Sequence, residues 1–314
     1  MNLRQLRYLR GIADEGYNIS QAAAALHTSQ PGISKQVRLL ERELGVEILV
    51  RKGNRVVGLT EPGEEMLAVA RRMLWDADNL KRIGEEYTRK GGGRLVVATT
   101  HIYARYVLRS VIKDFTRRYP TVQLVLRQGS PSHIAELVSS GEADIGISSE
   151  PPEPVDDLIM LPCLKLERSV IAQTGHPLLK EKRLTLRTIA KHPIITLDQR
   201  FIGGLAVLRA FEAARIKPNI VLSAIDADVI KTYVELGLGI AILPSIAYEP
   251  KRDRKLRAVT AAHLFEPTIT QIEVRHGVYL RSYMYDFIAI LAPAWQREAI
   301  DKTMRSGYQE SRDA

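Results

Sequence analysis

The stretch Asn18–Gly45, NISQAAAALHTSQPGISKQVRLLERELG, decides the reading of the N-terminal part of the chain. Asn18 stands three residues before Gln21, a cap-like pair that opens a short alanine-rich helix, Ile19 to Leu26. After His27-Thr28-Ser29 a second helix follows, with Pro31 in its first turn and Ile33, Val37, Leu40 and Leu44 on one face. Gly45 ends it, as glycine does just past a helix. Upstream, Leu3, Leu6, Leu9, Ile12 and Ala13 recur at three- and four-residue steps, which makes residues 3–13 an amphipathic helix. Downstream, Ile48–Arg51, a Lys52-Gly53-Asn54 turn and Arg55–Gly58 read as a two-stranded hairpin. Three short helices and a basic-tipped hairpin make a winged helix-turn-helix, in which the third helix enters the major groove and the hairpin reaches the backbone.

Charge agrees with that reading. The whole chain, 314 residues, carries a formal +9. Residues 1–59 hold nine basic and five acidic side chains, so +4 falls on less than a fifth of the length. A basic module suits a polyanion, although a solvated basic face is the commoner cause of such an excess. Gln30, Pro31, Ser34 and Lys35 are the candidate groove-facing residues. Thr28, Ser29, Arg38, Arg51 and Lys52 are the candidates for phosphate contact. Capping of the recognition helix is the plainer role for Ser29 and Gln30.

From Thr60, a plausible N-cap, a second kind of helix begins, with Pro62 in the first turn and Glu61, Glu64 and Glu65 near its positive end. Met66, Ala70, Met73, Ala77, Leu80 and Tyr87 follow an alternating three-four spacing, with Gly84 in one slot. This is either a helix packed on its own domain or a dimerisation rod; its length and the Gly91-Gly92-Gly93 joint that closes it favour the rod. Residues 60–92 are therefore assigned to a linker.

Beyond Arg94 strands and helices alternate: Leu95–Ala98, Ala104–Arg118, Val122–Leu126, Ile134–Ser139 and Ala143–Ile147 read as βαβαβ. A second run continues through Leu166–Ala172, Leu186–Lys191, Ile194–Thr196, Gly204–Arg215, Ile220–Leu222, Ala227–Leu236 and Ile240–Leu243. Glu273–Leu280 and a helix through Trp295 return as a last strand and helix. The expectation is two Rossmann-like α/β lobes with parallel sheets, about 93–163 with 268–300 and about 164–267, facing each other across a cleft suited to a small ligand, and a tail at 301–314.

Catalytic and metal motifs are missing from the sequence. Seven histidines are scattered with no HExxH spacing, and no P-loop, strand-following GxGxxG or GxSxG elbow occurs. The single cysteine, Cys163, excludes a disulfide framework and reads as a small hydrophobe rather than a nucleophile. No run approaches a membrane span, and the arginine-interrupted N-terminus is not a signal peptide, so a cytoplasmic, non-membrane protein is expected, without cofactor or metal. The informative spots are three polar strand-to-helix turns on one sheet edge: Thr99-Thr100-His101, Gln128-Gly129-Ser130-Pro131 and Ser148-Ser149-Glu150. Helix capping alone explains one such turn; three converging favour a site for an anion.

These residues resemble the LysR-type transcriptional regulators over about residues 1 to 300. The pattern is Ala22-Ala23-x-x-Leu26-x-Thr28-Ser29-Gln30-Pro31-x-Ile33-Ser34, then Leu40-Glu41-x-x-Leu44-Gly45, Arg51 and Leu59-Thr60-x-x-Gly63. Within the family the chain is similar to the CysB/Cbl-like subgroup, regulators of sulfur assimilation, through Thr99-Thr100-His101, Ala104-Arg105-Tyr106, Gln128-Gly129 and Asp226–Val234 with Leu236-Gly237-Leu238-Gly239. The resemblance implies a periplasmic-binding-protein-like effector domain, promoter DNA as partner, RNA polymerase as a further one, self-association to a tetramer through paired linkers, and a sulfate-like or organosulfur anion as effector. The subgroup's first turn reads Thr-Thr-His-Thr-Gln; here Ile102 and Tyr103 replace its last two residues, Ile202 beside Phe201 replaces a threonine, and Ser149 replaces another. Loss of hydroxyls disfavours bare sulfate and favours an organic anion. The expected effector site is Thr99, Thr100, His101, Ile102, Tyr103, Gln128, Ser148, Ser149, Phe201, Ile202 and Ile225. The competing functions are regulation of another pathway by an organic acid, an enzyme on the same two-lobed scaffold, and a periplasmic-type solute binder; the fused winged helix disfavours the last two.

Overall fold

The computed structural model describes residues 1–53, 55–88, 92–149 and 157–313, without the side chains of Glu85 and of 306–313. Asn54 of the hairpin turn, Gly91 of the joint and Glu150 of the third turn lie outside the described residues. The chain divides into two compact units, Met1–Thr88 and Arg89–Ala314.

The first unit contains α1 (Leu3–Asp14), α2 (Ile19–Ala25), α3 (Gln30–Leu44), β1 (Leu49–Lys52), β2 (Arg55–Leu59) and α4 (Glu61–Thr88). Helix starts are set by side-chain acceptors: Asn2 forms a capping box with Gln5, and Asn18 Oδ1 accepts from the Ser20 and Gln21 amides. Gly45 closes α3 in the left-handed region at φ 72°. Leu6, Leu9, Ile12, Ala22, Ile33, Val37, Leu40 and Ile48 form the core, and Leu67, Ala70 and Leu74 of α4 complete it. The Thr60 hydroxyl accepts from the Gly63 amide at 3.1 Å. Helix α4 lies so close to the strand entry that a Cβ on Gly63 would stand 2.2 Å from the Ile48 carbonyl oxygen. The apolar seam therefore splits. Ala70 packs on its own unit, whereas Met73, Leu80 and Tyr87 are exposed.

The second unit runs β3 (Gly93–Thr99), α5 (Leu108–Arg118), β4 (Val122–Gln128), α6 (Pro131–Ser139), β5 (Ile145–Ser149), β6 (Leu158–Leu166), β7 (Arg168–Gln173), α7 (Leu186–Ile189) and β8 (Ile194–Leu197). It continues with α8 (Ile202–Ala213), β9 (Ile220–Ala224), α9 (Ala227–Glu235), β10 (Ile240–Pro244), β11 (Leu256–Thr260), β12 (Thr268–Arg275), α10 (Ser282–Leu291) and α11 (Arg297–Asp313). Two five-stranded sheets result, ordered β4-β3-β5-β12-β6 and β11-β7-β10-β8-β9. Each defines a lobe, and the chain passes between them twice, at Glu167 and between β11 and β12.

Several expectations are corrected. The sheets are mixed rather than parallel: β12 runs antiparallel to β5 and β6, and β7 antiparallel to β10 and β11. Leu166–Ala172 is not one strand, because Leu166 ends β6 in the first sheet and Arg168 starts β7 in the second. Leu166 and Arg168–Ala172 are all buried, so burial periodicity alone carries no mark of the change of sheet. Gly93 belongs to β3 rather than to a joint; a Cβ there would meet the Tyr283 hydroxyl at 2.7 Å. The last strand is Thr268–Arg275, not Glu273–Leu280, and residues 301–313 continue α11 instead of forming a tail. Ile300 of that helix is buried in the first lobe's core.

Between β3 and α5 the chain makes a π-helical turn, Tyr103–Val107. Such turns add a residue to the helix and recur at functional sites. Here the turn buries Tyr103 in the first lobe's core while Arg105 and Tyr106 bond Asp228 of the second lobe.

Candidate nucleic-acid interface and effector cavity

On the first unit, Gln30, Pro31, Lys35 and Arg38 are exposed along the start of α3, while Thr28 and Ser34 are half-buried. Ser29 caps the helix, its Oγ accepting from the Gly32 amide at 3.3 Å. Gln30 also borders a polar groove of about 420 Å³, shared with Tyr17, Asn18, Ser20, Arg55 and Val56. Arg55 was not among the sequence candidates; its position on the second strand of the hairpin, lining the same groove as Gln30, is what marks it. Lys52 is exposed at the hairpin.

Arg51, a candidate for phosphate contact, is bound within its own unit. Its guanidinium is held by Glu41, Nη2 to Oε2 at 2.7 Å and Nη1 to Oε1 at 3.0 Å. Glu41 also accepts from the Ile48 and Leu49 amides. Burial pushes the Glu41 carboxyl up, but the Arg51 hydrogen bonds and the two amides outweigh it and hold its pKa below the usual value.

In the second unit, a cavity of about 30 Å³ lies between the sheets. Thr100, Ser149 and Thr268 bring hydroxyls to its lining, and Ile102, Tyr103, Leu166, Leu197, Phe201, Gly203 and Pro244 bring apolar surface and backbone. That volume holds about one water. Of the eleven expected effector residues the cavity collects Thr100, Ile102, Tyr103, Ser149 and Phe201. The remaining six are placed elsewhere. The Thr99 hydroxyl donates to the Ile147 carbonyl at 2.8 Å and serves the sheet. Ser148 donates to Glu273. Gln128 and Ile225 are exposed, and His101 and Ile202 are half-buried outside the lining. Ile102 lines the cavity but also packs into the second lobe's core with Ile195 and Leu197. It joins the lobes as much as it faces a ligand.

Leu166, Leu197, Gly203, Pro244 and Thr268 were not anticipated, because they arrive from the lobe crossovers and the second sheet. Behind Gly203 and Thr268 lies Arg168, only 2% exposed. Its Nη2 donates to the Thr268 hydroxyl at 2.7 Å and to the Gly203 carbonyl at 3.4 Å, and its Nη1 to the Glu266 carbonyl. Burial lowers its pKa. Tyr103 is pushed up to about 12 by burial, so its hydroxyl stays neutral and accepts from Thr270 at 3.1 Å. Glu273, fully buried with Oε2 unpartnered, is pushed up to about 7.

Two groups of contacts fasten the lobes to each other. Asp228 binds Arg105 Nε at 2.8 Å and the Tyr106 hydroxyl at 2.6 Å, and Glu249 binds Arg109 at 2.6 Å. Buried Lys231 underlies the first group through Asp228 at 3.1 Å and is also held by Asp253 at 2.9 Å. Among the described residues no cluster of His, Cys, Asp and Glu could hold a metal ion, and no helix is long and apolar enough to cross a membrane.

Comparison with known proteins places both units. Residues 3–64 match the bacterial regulatory helix-turn-helix proteins of the lysR family, and residues 88–296 match the LysR substrate binding domain. The HTH-type transcriptional regulator SsuR of Burkholderia cenocepacia is 47% identical over 93% of this chain and 95% of its own length. The HTH-type transcriptional regulator CysB of the same species is 44% identical over 99% of both chains. The crystal structure of the cofactor-binding domain of the Cbl transcriptional regulator, 38% identical, matches with a TM-score of 0.65 over 68% of this chain and 93% of that one. A winged helix-turn-helix unit followed by a two-lobed α/β unit, both matched in order along one chain, makes this protein a DNA-binding transcriptional regulator of the LysR family.

Proposed function

We propose that this protein acts in the cytoplasm as a promoter-bound regulator of sulfur assimilation genes, and that its effector is a small organic anion taken between the lobes. The pathway rests on the likeness to regulators of the CysB/Cbl-like subgroup. The effector class rests on one observation: the cavity lining combines three hydroxyls with Ile102, Tyr103 and Phe201. Hydroxyls and the helix start after Thr100 suit an acid head, while the apolar side chains favour a carbon body over a bare, strongly hydrated sulfate. The cavity is smaller than such a ligand, so binding requires its lining to give way. Gln30, Pro31, Ser34 and Lys35 read base edges, Thr28, Ser29, Arg38, Lys52 and Arg55 hold phosphates, and the exposed edge of α4 pairs two chains, which associate further into a tetramer and contact RNA polymerase.

Calorimetry with inorganic sulfate and a panel of sulfonates and sulfate esters tests the effector. The expected result is tighter binding of an organic acid than of sulfate, with about a tenfold loss in Thr100→Ala, the worth of one hydrogen bond to a charged group. Tight sulfate binding with no gain from any organic body and no loss in Thr100→Ala overturns it.

A further inference from the structure

Arg168 is the largest fully buried side chain of the described residues, and it carries a charge with no opposite charge beside it. All its hydrogen-bond acceptors are neutral: the Glu266 and Gly203 carbonyls and the Thr268 hydroxyl. No carboxylate pairs with it among the described residues. The titratable group whose field it feels is Tyr103, which burial keeps as a neutral phenol. Buried charges are ordinarily paired, because the desolvation of a lone ion is costly. Buried Lys231 obeys that rule, clasped by Asp253 and Asp228.

The position of Arg168 is as unusual as its charge. It is the first residue after the Glu167 crossover, and its carbonyl accepts from the Ala261 amide at 2.9 Å as the chain starts back. Its guanidinium then binds Glu266 and Thr268 on that returning segment. Both links between the lobes therefore meet on one side chain. Two of the residues its guanidinium touches, Gly203 and Thr268, also line the cavity with Thr100 and Ser149.

We propose that Arg168 is the counter-charge of the effector: a singly charged small organic oxyanion, drawn between Thr100, Ser149 and Thr268, neutralises the guanidinium and so acts where the two lobe crossovers meet. This deepens, and rests on, the effector reading above. A single charge is specified because one guanidinium stands behind the lining, bonded to Gly203 and Thr268, and the lining itself contains no cation. Arg168 stands behind the lining, so it is a positioning residue that selects charge through Thr268 rather than a group the ligand must touch.

The test compares methanesulfonate with dimethyl sulfone, which has nearly the same shape and no charge, on the full-length protein at constant ionic strength. Calorimetry is expected to show the wild type preferring methanesulfonate by tenfold or more. Arg168→Gln should bring that preference to about one, and Arg168→Lys should retain most of it; a merely structural role would weaken both ligands together. Should Arg168→Gln not fold, the wild-type melting temperature decides: methanesulfonate raises it and dimethyl sulfone does not. An undiminished preference in folded Arg168→Gln overturns the role of Arg168 and leaves the effector reading standing; equal shifts with the two probes on the wild type overturn both. Binding of dimethyl sulfone but not methanesulfonate, or of neither, overturns both.

Discussion

Arg51 and Glu41 form a two-pronged ion pair that joins the wing to the recognition helix, with the Ile48 and Leu49 amides converging on the same carboxylate. Removing the guanidinium leaves Glu41, 8% exposed, with a charge and fewer partners. Arg51→Ala should therefore destabilise the first unit by about 2–3 kcal/mol in a denaturant titration, the range for hydrogen bonds to charged groups. The sign of the pH effect follows from the lowered Glu41 pKa. This pair stabilises the fold fully above the ordinary carboxylate range and is lost as pH falls through the folded value, so wild type and Arg51→Ala converge in acid. A variant of unchanged stability that only flattens the salt dependence of DNA binding would return Arg51 to the phosphates.

Glu273 carries the opposite sign. Burial raises its pKa to about 7. The folded state then holds a proton that the unfolded chain releases near the usual carboxylate value, so stability falls as pH rises between these two values and levels off above the higher one. The fall amounts to roughly 3 kcal/mol, at about 1.4 kcal/mol for each pH unit that separates the folded and unfolded values. Glu273→Gln should remove this slope and equal or exceed the wild type above neutrality. Denaturation midpoints at pH 5 and pH 8 measure it, and parallel curves for the two proteins would be the contrary result.

Gln30 is exposed at the first position of α3, in the groove that Arg55 also lines. A carboxamide can bond adenine through two atoms, worth about 1–3 kcal/mol of discrimination. Gln30→Ala should thus lose roughly tenfold or more on a cognate promoter and little on random DNA, whereas Arg55→Ala should weaken both alike with a shallower salt slope. Gel shifts at two salt concentrations separate these outcomes; equal losses on both DNAs for Gln30→Ala exclude base reading.

Met73 lies on the edge of α4 that its own unit leaves uncovered, together with Leu80 and Tyr87. Met73→Glu should convert associated chains to monomers in light scattering and lower affinity for a two-half-site operator, with the single-site affinity retained. An unchanged mass would show that this edge is not where the chains pair.

The helices and hairpin of the first unit were legible in the sequence alone, because those elements are local. Asn2, Asn18, Ser29 and Thr60 each cap the helix that follows within three residues, and Gly45 adopts the one backbone conformation that suits glycine. The alternation of strands and helices beyond Arg94 was equally legible, and with it the position of Thr100 and Ser149 at strand ends. What periodicity does not encode is the partner of a strand. Leu166 and Arg168 stand two residues apart and belong to different sheets; β12 and β6 pair antiparallel across a hundred residues of chain. Their placement depends on which apolar face finds which, a property of the packed core and not of any window of sequence. The same packing spends Thr99 and Ser148 on internal hydrogen bonds, leaves Ile225 outside, gives Arg51 to Glu41, and strands a guanidinium at the lobe crossovers. A residue's type states what it can bind, and only the fold decides whether that capacity is already occupied.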